Sequence, residues 1–116
     1  MFSKELLSEV LGYTPYKISG IKPVGGIGER TLVLENEDGT VRAYWNIYEL
    51  AHKCKEWAMT KECTLFSGWD YEVGVWNCLL GRHDSQELPS YQADTEPEAI
   101  FKACQWILEK IGLEKL

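Results

Sequence analysis

"TLVLENEDGTVRAYWNIYELAHKCKEWA", residues 31–58, decides the fold class, because two strand-like runs around Asp38-Gly39 lead directly into a helical repeat. An Asp-Gly pair favours a two-residue type I′ turn, in which both central residues need positive φ. With Asp38 and Gly39 as that turn, Glu37 faces Thr40, Glu35 faces Arg42, Leu34 meets Ala43 and Leu32 meets Trp45. One face of the hairpin is then charged and the other apolar. Asn46 followed by Glu49 reads as a helix cap, and Ile47, Leu50, Ala51, Cys54, Trp57 and Ala58 fall on one stripe of the helix it opens. The opposite face, with Glu49, His52, Lys53, Glu56 and Thr60, reads as solvated.

Upstream, Phe2, Leu6, Leu7, Val10 and Leu11 recur at helical spacing between a capping Ser3 and a terminating Gly12. Tyr16–Lys22 alternates as a strand and joins Thr31–Glu35 through "KPVGGIGERT", residues 22–31. Downstream, Cys63–Phe66 and Tyr71–Asn77 read as a second hairpin around Gly68-Trp69-Asp70, with Leu65 opposite Val73 and Cys63 opposite Val75. Gly81–Ser90 is polar and without period, so it reads as a loop, and Tyr91–Ala93 adds a short strand. Thr95-Glu96-Pro97-Glu98 is a capping box with proline in the first turn. Ile100, Ala103, Cys104, Ile107, Leu108 and Ile111 give the last helix its apolar face, and Gly112 ends it.

The expected fold is α+β: an antiparallel sheet of hairpins packed against helices, an α/β sandwich in the order α-β-β-β-α-β-β-(β)-α. One domain spans residues 1–116, with an N-terminal helix and hairpin in 1–45 and a helix-hairpin-helix core in 46–112. The expected core is Leu32, Leu34, Trp45, Leu50, Cys54, Trp57, Leu65, Val73, Val75, Ile100, Cys104 and Ile107.

Eighteen acidic residues against 12 basic ones, net −6, argue against binding a nucleic-acid duplex, which needs clustered Lys and Arg. No apolar run approaches a membrane span and no leader is visible, so the chain is expected in the cytosol and off the membrane. Cys54, Cys63, Cys78 and Cys104 form no C-x-x-C pair and read as buried thiols; neither His52 nor His83 lies at metal-ligand spacing, and no cofactor is expected. No nucleophile-and-base frame is present, so the chain reads as a non-enzyme.

"GGIGER" lacks both the spacing and the following helix of a phosphate-binding motif and reads first as a hairpin bend. A ligand reading gives Gly25, Gly26 and Gly28 the close backbone approach and Arg30 the anion contact, with Arg82 and His83 of the polar loop as further contacts and Trp69 as a stacking surface. Trp106 falls about 130° from the centre of the last helix's stripe at the usual ~100° per residue. It therefore reads as an interface residue of a homo-oligomer.

The span Ile47–Ile111 resembles the phage ABA sandwich domain of small phage and prophage proteins. "NIYELAHKCKEWAM", "CTLFS", "YEVGVWN" and especially "YQADTEPEAIFKACQWILEK", where D-T-x-x-E-A opens the final helix, carry the likeness. The resemblance implies an α/β sandwich of phage origin, acting in the host bacterial cytosol, and assigns no catalytic residues. The functional expectation is a non-enzymatic counter-defence protein that sequesters an anionic, nucleotide-type host signalling molecule. The alternatives are an acidic inhibitor that covers a basic surface of a host defence protein, such as a nuclease, and a structural or regulatory phage protein.

Overall fold

The computed structural model describes residues 3–23, 30–82 and 89–114. Three helices and six strands run in the order α1 (Lys4–Leu11), β1 (Lys17–Pro23), β2 (Arg30–Glu35), β3 (Val41–Asn46), α2 (Ile47–Thr60), β4 (Cys63–Asp70), β5 (Val75–Arg82), β6 (Ser90–Ala93) and α3 (Glu96–Glu114). The fold is α+β, and its hairpins divide into two antiparallel three-stranded sheets, β1-β2-β3 and β4-β5-β6.

The helices begin where their caps dictate. Ser3 Oγ accepts the Leu6 N–H, Asn46 Oδ1 accepts those of Tyr48 and Glu49, and Thr95 Oγ1 accepts that of Glu98. Each bond satisfies a donor that the first helical turn leaves without a carbonyl. α1 ends at Gly12 as expected, whereas α3 continues through Gly112 to Glu114.

Both hairpins close differently from the expected turns. Asp38 does not take positive φ; Gly39 alone does, at +87°, and its N–H donates to Asn36 O across a turn centred on Glu37 and Asp38. That arrangement is a type I turn followed by a left-handed glycine, which shifts the register by one residue. Leu34 still meets Ala43 and Leu32 still meets Trp45, but Glu35 pairs with Val41 instead of Arg42.

The second hairpin turns at Tyr71–Gly74, not at Gly68–Asp70. Asp70 Oδ1 accepts the N–H groups of Glu72 and Val73, its carbonyl accepts the Gly74 N–H, and Gly74 takes φ +79°. β4 therefore runs on through Trp69, and Leu65 pairs with Leu80, Phe66 with Leu79 and Cys63 with Arg82. Val73, expected in the core, is 63% exposed in the turn. Gly81 and Arg82 end β5 and Ser90 opens β6, so the expected loop is shorter at both ends.

A single hydrophobic cluster draws on both halves of the chain, from Leu6, Leu7, Leu32 and Leu34 through Leu50, Cys54 and Trp57 to Ile100, Cys104 and Ile107. α2 and α3 pack together, α3 lies across β4, β5 and β6, and α2 also touches β2 and β3. Small residues permit the close helix pairing: Ala51, Cys54 and Ala58 on α2, Ala103 and Cys104 on α3, with Cys104 Sγ donating to Cys54 O at 3.5 Å. Trp45 packs against this cluster from its edge, only partly buried. Trp106 does the same instead of standing clear of the core.

The molecule is 17 Å through its shortest axis, room for one helix layer on one sheet layer. Its radius of gyration of 15.0 Å exceeds the roughly 13 Å of a compact chain this long. A two-layer arrangement of this kind leaves one face of a sheet without helices.

Candidate functional site

The residues singled out for ligand binding do not converge. Arg30 opens β2 opposite Pro23, one residue before Thr31, which pairs with the α2 cap Asn46. Arg82 closes β5 opposite Cys63, just past the other end of α2. A helix of 14 residues separates the two positions by about 20 Å. Trp69 stands six residues along β4 from Cys63, again about 20 Å in a strand. Gly25, Gly26, Gly28 and His83 lie outside the described residues. The α2 N-terminus is no anion site either, because the Asn46 side chain already accepts the N–H groups of Tyr48 and Glu49.

The helix-free face of β4-β5-β6 gathers a different set. Strand alternation puts Cys63, Leu65 and Cys78 under the helices and turns Phe66, Gly68, Asn77 and Leu79 outward. Phe66 and Leu79 are a directly paired couple, 60% and 51% exposed. With Trp69, Asp70, Tyr71 and Glu72 they line a shallow depression of about 570 Å³. The Trp69 ring meets its pair-mate Trp76 edge-on at 5.7 Å on the opposite, helix-covered side of the sheet, in phase with Cys78. Asp70 is fixed as well: besides the two turn N–H groups, its Oδ2 accepts from Asn77 Nδ2 at 3.3 Å.

A second depression, of about 470 Å³, lies where α2 meets β3, lined by Trp45, Tyr48, Glu49, His52, Lys53 and Glu56. Lys53 Nζ sits 5.3 Å from the Trp45 ring centre, Trp45 Nε1 donates to Tyr13 Oη, and the Arg42 guanidinium stacks 4.2 Å from the Tyr13 ring. These cations already occupy the aromatic faces. His52 pairs with Glu56 at 3.0 Å on the same exposed helix face.

All four cysteines are buried. Burial pushes the Cys78 thiol up to about 12, and the neighbouring Cys54 thiol together with burial raises that of Cys104 further. Nucleophilic sulfur chemistry needs the thiolate, so neither group is set up for it. Among the described residues no helix is long and apolar enough to cross a membrane, and no group of three or more His, Cys, Asp or Glu could hold a metal ion. Comparison with protein-family models, curated proteins and solved structures finds no match to this chain.

The residues of the β4–β5 face were missed from sequence because the strand reading stopped at Phe66. The signal for a longer strand was Asp70 followed by Gly74, an Asx-type turn start and a left-handed stop.

Proposed function

We propose that this chain is a small non-enzymatic binding protein that covers a surface of a host protein through the outer face of β4 and β5. The observation that carries the reading is the exposed Phe66–Leu79 pair, with the exposed Tyr71 in the adjoining turn, on a face with no helix. Clustered exposed apolar side chains of this kind mark interaction surfaces, whereas single ones need no explanation. The net charge of −6 favours a basic partner and speeds its approach. The likeness of residues 47–111 to phage ABA sandwich proteins supports a phage or prophage origin and a role against a host defence protein in the bacterial cytosol. Trp106, packed on the core, gives little support to self-association.

The reading is tested by capturing proteins from a bacterial lysate on the immobilised chain, purifying what binds and titrating it calorimetrically. Leu79→Ser on the β4–β5 face should weaken the complex at least about tenfold, the effect of losing a central apolar contact, while Tyr48→Ser on α2 leaves it intact. A complex indifferent to Leu79→Ser overturns the assignment of the face.

A nucleotide-type ligand is the second reading, favoured by Trp45, Tyr48, Lys53 and His52 around one depression. Glu49 and Glu56 in the same lining oppose a phosphate. Thermal shift with cyclic di- and trinucleotides tests it: a rise that Tyr48→Ser removes would place the ligand there, by mass action on the native state.

A further inference from the structure

We infer that the outer edge of β4 pairs antiparallel with β4 of a second copy of this chain, joining two β4-β5-β6 sheets into one of six strands, an inference independent of the proposed host partner. An edge strand presents a row of unbonded N–H and C=O groups, and chains that stay apart blunt such edges with charges, prolines, bulges or brevity. The two sheets have four edges, and three are blunted. β1 contains Lys17 and Lys22, ends at Pro23 and carries a bulge between Ile18 and Ile21. β3 bulges at Arg42, the residue left over where Leu34 pairs with Ala43 and Glu35 with Val41. β6 is four residues long, and Lys102 Nζ donates to the Gln92 carbonyl at 2.8 Å.

β4 has none of these devices. Its eight residues pair with β5 without a shift of register, and no charge or proline interrupts Cys63–Trp69. Among the described residues it packs against β5 along one edge and against α2 and α3 across one face. Lys55 Nζ donates to Ser67 Oγ at 3.0 Å, but Ser67 pairs with the buried Cys78, so that contact lies on the helix side, out of the plane in which a second strand bonds.

The charge pattern of the strand selects a second copy. The chain is acidic overall, at −6, yet the one charge within β4, Asp70, stands at its end, and antiparallel pairing carries the two Asp70 residues to opposite ends of the joint. A basic strand from another protein would find that single carboxylate along the edge. With the helices of both copies on one side, alternation sets Thr64, Phe66 and Gly68 against the same set, which covers the Phe66 ring that the single chain leaves exposed.

Sedimentation velocity of the full chain across the micromolar range tests the pairing, and amide hydrogen exchange of the ¹⁵N-labelled protein locates it. The expected mass rises with concentration towards twice the monomer's 13.3 kDa, and exchange slows in step at alternate amides of β4, those on the edge away from β5. Phe66→Lys moves the net charge towards zero and so lessens general repulsion, but it sets like charges on the joined strands. Because the substitution counts twice in a symmetric pair, it should weaken the dimer at least about tenfold. Tyr44→Lys, at an exposed position of the bulged β3, makes the same change of charge and should leave the dimer intact. Melting temperatures of dilute samples check that both variants fold, and the exchange of the parent protein stands without either. A chain that stays monomeric alone, its edge reserved for another protein's strand, overturns the inference. So does a dimer without slowed exchange in β4, or one that folded Phe66→Lys leaves at the parent's strength.

Discussion

Cys54 and Cys104 meet where α2 packs on α3, and Cys78 on the sheet belongs to the same buried cluster, so the thiols act as small apolar spacers. Their placement was legible from the helical stripes, since Cys54 and Cys104 each stand in phase with the leucines and isoleucines around them. Val73 was not legible, because the turn falls at Tyr71–Gly74 and takes Val73 into it, whereas the sequence reads as a turn at Gly68–Asp70. The Cys78 thiol rises in the folded protein from 9.0 to about 12, so the folded state favours its protonated form. Its contribution to stability is complete below the ordinary thiol value and is lost as pH climbs from about 9 towards 12. Urea midpoints should therefore fall between pH 8 and pH 10.5, and Cys78→Ala should shrink the fall; an equal fall in both proteins would remove Cys78 as its cause. At the same scale, Leu50→Ala and Ile107→Ala should each destabilise by about 2–5 kcal/mol, the range for truncating a buried aliphatic, as measured by urea unfolding. Parent-like midpoints would put both residues outside the core.

Caps and turns govern the elements, and they differ in how openly they are written. Ser3, Asn46 and Thr95 each satisfy helix N–H groups through local bonds, and local bonds can be read from adjacent residues. Asn46→Ala should accordingly lower stability by about 1 kcal/mol in urea titration, the usual worth of a cap. No change would mean that α2 is held by packing alone. Hairpin register is harder. Asp38 and Asp70 both use side-chain oxygens to bind backbone N–H groups beyond them, and these bonds select turns with one left-handed glycine in preference to the type I′ turn or the three-residue loop. Gly74→Ala, forced to φ +79°, should destabilise by about 1–2 kcal/mol, the penalty of a left-handed L-residue. A Gly74→Ala protein with the parent's melting temperature would contradict the described turn.

For the whole molecule, the order of elements followed from the periodicities, because each stripe needs a neighbour to bury it. Which side of β4-β5-β6 the helices would cover did not follow, since that choice is made jointly by α2 and α3 against Leu65, Cys78 and Ala93. The candidate surface was hidden for the same reason: Phe66 and Leu79 look like core residues until the pairing shows that they face away from both helices. Among the described residues expected to bind a ligand, Trp69 borders the depression on this surface, from its strand position between Gly68 and Asp70. Gly68 supplies the most direct test, because it is an open strand position where a side chain meets no neighbour and valine suits the strand. Calorimetric titration of the purified partner against the parent and Gly68→Val, with melting temperatures of both, isolates the surface from the fold. The account predicts an unchanged or slightly higher melting temperature and a complex weakened at least about tenfold, the loss expected when the centre of an interface is filled. A Gly68→Val protein that binds the partner with the parent's affinity would contradict it.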